Sequence, residues 1–362
     1  MAYDLGNEEL DARLRSLVAD SSAGDGGNQD LIEELIVTAI KLHRDGASRG
    51  DLKLINTAVK EMRYSNLVFS RHPEPKVTIY GSARIKEDDP NYRLTESFAE
   101  TMASHGWGVI TGAGPGLMEA GSKGAGIDNS YGVNIRLPFE ASANHYIADG
   151  RTVNFKYFFT RKLGFVKESH AFVIMPGGFG TLDEAFELIT LIQTGKSDLH
   201  PIVLLEAEGT DYWGPLISFI TSKLLARGLI SESDLNLFLE TTDLDEACGE
   251  IFKFYSNYHS QRYTAGKLIL RLRQGPTVDE LATLNEDFAD IVVDGAIESA
   301  EPNQAEIEDD DALDKDRITF YFDRRQFGRL RQLIDRLNDL ASLPETTEIP
   351  ASMSEEQAER PW

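Results

Sequence analysis

The strongest restriction on the fold of this chain is a buried strand that runs into a glycine turn and then into a helix. Residues 171–175 form a short apolar run, which predicts a buried strand. The next five residues, 176–180, are Pro-Gly-Gly-Phe-Gly, and a helix is predicted to start at Thr181. Free N–H groups and the helix dipole at such a start favour an anion, most often phosphate. The alternative interpretation is a tight turn with a capping box, in which Thr181 is the N-cap and Glu184 its partner. The apolar stripe of this helix is predicted to contain Leu182, Phe186, Ile189 and Ile192.

Apolar runs of strand length alternate with helical patterns from Lys76 onward. This alternation predicts an α/β fold, a Rossmann-like doubly wound parallel sheet with helices on both faces. Glycine turns follow three of the strands, at 81, 112–116 and 177–180. Because the carboxyl ends of parallel strands share one edge, where ligands bind, the three turns should lie together there. The predicted strands are 77–80, 107–111, 133–137, 171–175 and 202–205.

Segments of different character flank this alternating region. Residues 1–30 are polar and are predicted to form a mobile arm, whereas 31–69 are predicted to be helical. Residues 298–316 are strongly acidic and predict a solvated loop, and 343–362 are predicted to be frayed. We predict a helical N-terminal extension at 1–73, a central ligand-binding domain at 74–262, and a small α/β module with an acidic loop and tail at 263–362.

The composition argues against several partners and sites. Sixty acidic against 36 basic residues give a formal net charge of −24, which would repel nucleic-acid polymers and anionic membrane surfaces. The single cysteine, Cys248, rules out an intramolecular disulfide, and the seven histidines lack ligand spacing, so we expect no metal site. The N-terminus lacks a basic and apolar leader, and no apolar run approaches membrane-spanning length. These observations predict a cytoplasmic protein.

The second glycine turn, Gly-Ala-Gly-Pro-Gly-Leu at 112–117, differs from the dinucleotide fingerprint. Leu117 stands where the third glycine should be, and no convincing acidic residue follows to hold a ribose, so NAD is not expected. Anion-binding turns without that fingerprint fit a mononucleotide better, and the alternative is that the glycines serve only helix–strand packing. Arg161 lies between Phe158 and Phe165 on one predicted helical face. It is either a snorkelling surface residue or directed at an anion.

These motifs together resemble the LOG family. Residues 176–184 are similar to its PGGxGTxxE signature, and further matches lie at 77–84, at 111–120 and at Arg161-Lys162. The resemblance covers roughly residues 74–260. It implies a phosphoribohydrolase without a cofactor, which cuts cytokinin riboside 5′-monophosphate or a related nucleoside monophosphate to free base and ribose 5-phosphate. Members were once labelled "possible lysine decarboxylases", but that reaction needs a pyridoxal phosphate lysine, and nothing supports Lys162 in that role.

The resemblance also implies a catalytic pair, Arg161 and Glu184. Cleavage of an N-glycosidic bond builds positive charge on the ribose ring, which a carboxylate would stabilise while it orients the attacking water. Asp183 is adjacent but lies about 100° away around the helix, so it is not expected to share this task. The implied substrate-binding residues are Gly81, Ser82, Gly112, Gly114, Gly116, Met118, Glu119, Glu140, Lys162, Pro176, Gly177, Gly178, Gly180 and Thr181.

Different members of this set have different expected tasks. The backbone N–H groups of 177, 178, 180 and 181 would cradle the phosphate, and Gly81, Ser82, Met118 and Glu119 would line the base and ribose. Glu140 would contact the nucleotide or, alternatively, be a solvent-facing loop acid. Two other functions stay open: a non-hydrolytic carrier of a phosphorylated cofactor, such as a molybdenum-cofactor carrier, and a nucleotide sensor. Relatives with this fold usually assemble, so a homo-oligomer is also implied.

Overall fold

The computed structural model describes residues 3–21, 28–136 and 144–341. The chain divides into two compact units, residues 1–62 and residues 63–362. The first unit holds α1 (Glu8–Ser21), α2 (Gln29–Arg44) and the greater part of α3 (Arg49–Phe69). Glu140 and the predicted frayed segment 343–362 lie outside the described residues.

Helix α1 contradicts the mobile arm predicted at 1–30. The carboxylate of Asp11 accepts the backbone N–H groups of Leu5 at 2.9 Å and Asn7 at 3.1 Å, which holds the chain at the helix entrance. The helical stretch predicted at 31–69 is two helices, because Gly46 adopts φ +74°, a left-handed conformation that ends α2. Helix α1 was therefore missed because its sequence is polar, and Gly46 divides the predicted second helix into α2 and α3.

Seven parallel strands of the described chain make up the main sheet of the second unit. They are β1 (Lys76–Tyr80), β2 (Gly108–Thr111), β3 (Ser130–Ile135), β4 (Thr152–Phe155), β5 (Ala171–Ile174), β6 (Ile202–Leu205) and β7 (Leu239–Thr241). Their spatial order is β4-β3-β2-β1-β5-β6-β7. The predicted doubly wound α/β fold is therefore confirmed. Strands β4 and β7 are not among the predicted strands, because edge strands of three or four residues carry too few apolar side chains to form a pattern.

Both faces of this sheet are covered. Every residue of β1, β2, β5 and β6 is buried, and successive side chains of a strand point to opposite faces. The helices around the sheet are α4 (Pro90–Ser104), α5 (Leu117–Ala125), α6 (Phe158–Glu168), α7 (Phe179–Gln193), α8 (Trp213–Phe219) and α9 (Leu244–Phe254). Helix α8 is followed by a π-helical turn at Ile220–Leu224 and by 3₁₀ turns at Leu225–Arg227 and Glu232–Leu237.

Helix α7 starts two residues earlier than predicted, and its buried face also differs from the predicted stripe. Its N-cap is Gly178 without a side-chain cap, so the alternative capping box of Thr181 and Glu184 is wrong. Phe186 of the predicted stripe is exposed. The buried residues are Thr181, Glu184, Ala185, Leu188 and Ile192. Thr181 and Glu184 belong to this face because Thr181 packs against Gly177 and Glu184 contacts the buried Arg161.

A second sheet follows in the same unit and is antiparallel. Its strands are β8 (Tyr258–Thr264), β9 (Lys267–Leu272), β10 (Val292–Ser299) and β11 (Asp316–Phe322), in the order β10-β11-β9-β8. The helices here are α10 (Val278–Asp287), α11 (Gln304–Glu308) and α12 (Phe327–Leu340), with a 3₁₀ turn at Ala289–Ile291. The mixed α/β character predicted for this segment is present.

The acidic stretch 298–316 is not the solvated loop that its composition predicts. Glu306 on α11 is fully buried, and its Oε1 accepts the Nε–H of Arg271 at 2.9 Å. Arg317 lies 3.4 Å from the same oxygen, and Asp311 lies 2.6 Å from Arg271. The acidic residues therefore neutralise arginines that two strands of the second sheet bury, a relation that local composition cannot reveal.

Candidate active site

The three glycine turns meet at the topological switch point of the main sheet. The chain runs outward from β1 through β2 and β3 to β4, and then returns to the other side of β1 as β5. The turns that follow β1 and β5 therefore leave adjacent strands in opposite directions, which opens a crevice at their carboxyl ends. The order of strands and glycine turns in the sequence predicts that the three turns lie together at one edge of the sheet, and they do so in the described structure.

Direct backbone contacts join the turns to one another. The N–H of Ser82 donates to the carbonyl of Pro176 at 3.1 Å, and the N–H of Leu117 donates to the carbonyl of Ser82 at 3.0 Å. A Cβ on Gly116 would overlap the carbonyl oxygen of Ser82, and one on Gly81 would lie 2.8 Å from Cβ of Leu117. Close packing therefore requires glycine at positions 81 and 116. The alternative interpretation, in which the glycines of the turns serve packing, applies to these two.

A cavity of about 680 Å³ opens between the turns. A pocket of this size holds a small ligand such as a nucleotide. The predicted binding residues among its walls are Gly81, Ser82, Gly112, Gly114, Met118, Gly177, Gly178, Gly180 and Thr181. Both members of the implied catalytic pair, Arg161 and Glu184, line it as well.

Four other predicted binding residues in the described part of the chain do not line the cavity, namely Gly116, Glu119, Lys162 and Pro176. Gly116 and Pro176 hold the turns together through the contacts described above. Glu119 is half-buried in the first turn of α5. The ammonium of Lys162 lies 2.9 Å from both Asp183 and Glu187 on α7. The family resemblance groups Lys162 with Arg161, but one residue along a helix turns a side chain by about 100°.

Arg161 is held in place from three sides. Its Nε–H donates to the carbonyl of Val133 on β3 at 2.9 Å, and its guanidinium lies 5.0 Å from the ring centroid of Phe165. Its Nη1 lies 3.3 Å from Oε1 of Glu184. A Cβ on Gly112 would lie 2.5 Å from Nη2, so this glycine makes room for the guanidinium. The snorkelling interpretation of Arg161 is therefore wrong, because the side chain is buried.

Glu184 is a buried carboxylate in the second turn of α7, and it lines the cavity. Burial raises its pKa above the ordinary value, and the positive charge of Arg161 opposes this effect. Asp183, its neighbour, is exposed and paired with Lys162. As expected from the helical turn, the two adjacent acids thus occupy different environments. A carboxyl group with a raised pKa in a cleft is a frequent feature of acid–base sites.

Several wall residues are absent from the predicted set, because only the fold brings them to the cavity. Tyr80 ends β1, is buried, and lies 5.1 Å from the ring of Phe165. Burial and the nearby charge of Glu184 raise the pKa of Tyr80 well above its ordinary value. Its place as the last strand residue before Gly81 is the signal that could have identified it, since such positions face the ligand. Further wall residues are Ile79, Ala83, Arg84, Ile135, Phe158, Phe165, Phe179, Leu182 and Asp183.

Two features of the described residues bear on the class of site. Across residues 3–21, 28–136 and 144–341, no group of three or more His, Cys, Asp or Glu side chains could hold a metal ion. Within the same ranges, no helix is long and apolar enough to cross a membrane. The polar residues that line the cavity include the buried pair of Arg161 and Glu184.

The chain is similar to a protein family and to individual known proteins. The family model described as "Possible lysine decarboxylase" matches residues 113–251. Cytokinin riboside 5′-monophosphate phosphoribohydrolase LOG1 of Arabidopsis thaliana is 40% identical over 86 residues, which are 24% of this chain and 38% of that protein. LOG3 of the same organism, with the same description, is 45% identical over 71 residues, which are 20% of this chain and 31% of that protein.

Among solved structures, the chain is similar to the molybdenum cofactor binding protein from the phototrophic bacterium Rippkaea orientalis. That protein is 20% identical, with a TM-score of 0.34, and the match covers 50% of this chain and 97% of that chain. The sequence matches to the two Arabidopsis relatives span only about a third of those proteins.

Proposed function

We propose, from the premise that this chain belongs to the LOG family, that it hydrolyses the N-glycosidic bond of a nucleoside 5′-monophosphate. The products would be the free base and ribose 5-phosphate. The observation that supports this proposal most directly is the buried contact of 3.3 Å between Arg161 and Glu184 in the wall of the glycine-turn cavity. The two Arabidopsis relatives are named as phosphoribohydrolases of cytokinin riboside 5′-monophosphate.

The proposed reaction needs one stabilising negative charge and one positioned water. The bond between C1′ of ribose and the base nitrogen breaks, its electron pair leaves with the base, and positive charge develops on the sugar ring. The Glu184 carboxylate stabilises that charge and orients a water whose oxygen bonds to C1′. A proton from this water ends on the departing base, directly or through solvent. Arg161 binds the oxygens of the ribose or the phosphate.

The phosphate is proposed to sit at the start of α7. The first N–H groups of a helix have no intrahelical acceptor, and the helix dipole adds positive potential there. Gly177, Gly178, Gly180 and Thr181 line the cavity at this point, and three of them carry no side chain that could block an approaching phosphate. Apolar wall residues, including Met118 and Phe158, would contact the base.

A substrate panel tests the proposal. Purified protein is incubated with AMP, GMP, CMP and isopentenyl-AMP, and the free base is detected by mass spectrometry. We expect release of base from at least one monophosphate and none from the matching nucleoside, because the nucleoside lacks the phosphate that the turn binds. Absence of base release from every monophosphate would contradict the proposed hydrolysis.

A carboxylate substitution separates hydrolysis from binding without cleavage, the function of a carrier or sensor. In Glu184→Gln the amide keeps the size of the side chain but loses the negative charge. A hydrolase should lose turnover by at least about a hundredfold and still bind AMP. The exposed neighbour supplies the matched control, since Asp183→Asn should keep most of the turnover. A protein that binds AMP without cleaving it in wild-type form would be a carrier or sensor.

A homo-oligomer is also proposed, from an exposed apolar face beside the cavity. Phe179, with 94% of its surface exposed, and Phe186 lie on α7, and Phe158, Phe159 and Leu163 are exposed on α6. A face of this kind on a globular chain is typical of a protein–protein contact. A second copy of this chain would cover it.

Light scattering after size-exclusion chromatography tests this assembly. We expect a mass of at least twice the chain mass for the wild type, and dissociation in Phe186→Asp because a charge would be buried at the interface. Phe219 on α8 is exposed as well and gives the control, so Phe219→Asp should leave the mass unchanged. A monomeric wild type would contradict the proposal.

A further inference from the structure

Tyr212 lies outside the cavity wall but reaches the glycine turn from behind. Its hydroxyl donates a hydrogen bond of 2.7 Å to the carbonyl of Gly177, 35 residues earlier in the chain. Gly177 itself lines the cavity. On its other side this glycine packs so tightly against the side chain of Thr181 that a Cβ would overlap it. The peptide that joins Gly177 to Gly178 is thus fixed from two directions.

The orientation of this peptide decides where one backbone donor points. A peptide unit is planar and trans, so its C=O and its N–H point in opposite directions. The C=O of Gly177 is directed to Tyr212, which is not among the cavity-lining residues. The N–H of the same peptide belongs to Gly178, which lines the cavity, and it is therefore directed away from Tyr212. With glycine on both sides, this peptide could rotate easily if nothing held it.

A buried carboxylate keeps Tyr212 in position. Glu206, at the end of β6, is only 3% exposed, and its two oxygens accept the backbone N–H of Tyr212 at 2.6 Å and of Trp213 at 3.0 Å. It also accepts the hydroxyl of Thr210. Asp211, inside this turn, has φ +48°, a conformation that a non-glycine residue adopts at a cost in energy. The carboxylate thus stabilises a strained turn, and this turn sets the position of the Tyr212 hydroxyl.

We propose that Tyr212, anchored by Glu206, is a positioning residue for phosphate binding: it holds the Gly177–Gly178 peptide so that the Gly178 N–H faces the phosphate. The inference deepens the proposed function and rests on it for the identity of the anion. Preorganised backbone donors bind an anion more tightly because no rotation has to be frozen when the ligand arrives. Tyr212 lies in none of the motifs that carry the family resemblance.

Tyr212→Phe tests the inference, because it removes the hydroxyl and keeps the ring that packs against Trp213 at 4.7 Å. Isothermal titration calorimetry measures binding of ribose 5-phosphate and of adenosine, and initial rates give kcat and KM for AMP. Loss of one neutral hydrogen bond should raise the Kd of ribose 5-phosphate and the KM of AMP about fivefold. The Kd of adenosine, which has no phosphate, and kcat should each change less than about twofold.

Two further variants distinguish positioning from general loss of structure. Tyr321→Phe, in the second sheet, is the matched control and should change none of these constants. Glu206→Gln should weaken ribose 5-phosphate binding in the wild-type background, but by much less in the Tyr212→Phe background, since both act through one peptide. Full additivity of the two substitutions would count against the proposed chain of contacts. Unfolding midpoints identify any variant whose fold has changed.

The outcomes separate this inference from the proposed function. Unchanged ribose 5-phosphate affinity in Tyr212→Phe, in a protein that hydrolyses AMP, would overturn the inference and leave the function standing. Weaker ribose 5-phosphate binding in Tyr212→Phe, in a protein that hydrolyses no monophosphate, would overturn the hydrolytic function and support the inference. A wild-type protein that neither binds ribose 5-phosphate nor hydrolyses any monophosphate would overturn both.

Discussion

Nη1 of Arg161 and Oε1 of Glu184 lie 3.3 Å apart, although the two residues belong to different helices and are separated by strand β5. Both side chains are about nine-tenths buried, so each charge depends on the other. The Nε–H of the same guanidinium donates a hydrogen bond to the carbonyl of Val133 on β3, which fixes the orientation of the planar guanidinium group. This relationship supports the proposed chemistry.

Arg161→Lys should lower kcat/KM by about a hundredfold or more. A lysine ammonium cannot bond the Val133 carbonyl and the Glu184 carboxylate with the planar fork that arginine uses. The loss should be measured as initial rates of base release from AMP. Arg93→Lys, at an exposed arginine of α4, is the matched control and should keep the wild-type rate. Equal rates for the two variants would show that the fork has no part in the reaction.

The pH profile of kcat/KM should show an acid limb whose apparent pKa lies above 4.5. Burial raises the pKa of Glu184, and activity is lost as pH falls through that value because the carboxylate becomes neutral. The negative charge of Asp183 raises the same pKa further, so Asp183→Asn should move the limb to lower pH. Rates across pH 4 to 8 in buffers of constant ionic strength give the measurement. A limb that moves to higher pH in Asp183→Asn would contradict the assignment to Glu184.

Gly116→Ala should reduce both stability and activity. A Cβ there would overlap the Ser82 carbonyl, and φ of +69° is unfavourable for alanine, so the cost should exceed about 1 kcal/mol. The displaced turn at 81–84 should also raise the KM of AMP. In Gly249→Ala, on an open face of α9, nothing lies within 4 Å of the new Cβ, and stability should rise by up to about 1 kcal/mol. Urea unfolding curves measure both effects.

Glu306→Ala should destabilise the second unit by about 3–5 kcal/mol. The substitution leaves the buried guanidinium of Arg271 without the Oε1 acceptor that it holds at 2.9 Å. Glu308 lies on the same short helix and is exposed, so Glu308→Ala should change the free energy of unfolding by less than about 0.5 kcal/mol. Denaturant titrations followed by circular dichroism compare the two. Equal stabilities would mean that the acidic stretch behaves as the solvated loop that its composition predicts.

His200 should make the protein less stable as pH falls below 6.5. The single hydroxyl proton of Tyr255 goes to the His170 carbonyl, so the Nδ1–H of His200 donates to Tyr255 at 3.2 Å. Its buried Nε2 has no partner among the described residues. Burial lowers the pKa of His200, and Asp198 opposes this effect. Because the folded state resists protonation, the unfolded state binds the extra proton, and up to about 1.4 kcal/mol of stability is lost per pH unit below 6.5.

His200→Asn should lose part of this acid sensitivity. Unfolding midpoints at pH 7.5, 6.5, 5.5 and 5.0 should fall less steeply than those of the wild type. His145 is exposed, and His145→Asn should retain the wild-type slope. Identical slopes in all three proteins would assign the acid sensitivity to other groups.

Much of the main sheet and part of the site could be predicted because their signals are local. Apolar runs bounded by glycine turns specify buried strands, and the turns at 112–116 and 177–180 identify two walls of the cavity from adjacent residues alone. The misses have different causes. Helix α1 has a polar sequence, and the strands β4 and β7 are too short to carry an apolar pattern. The buried Glu306 depends on its pairing with Arg271, which is distant in the chain, and a window of neighbouring residues does not contain that partner. The roles of the site residues and the domain division at 1–73, 74–262 and 263–362 stay predictions.

The alternation of strand, turn and helix follows from the amino-acid sequence alone, and so do the parallel sheet and the edge at which a ligand would bind, because backbone periodicity and glycine turns are encoded in adjacent residues. The pairing of charged side chains, in contrast, is determined only by the tertiary structure. Packing of the helices brings Arg161 to Glu184, directs Lys162 to Asp183 and Glu187, and carries the Tyr212 hydroxyl to Gly177. These pairings are long-range because the burial, the partner and the pKa of a side chain are set by elements that arrive from elsewhere in the chain.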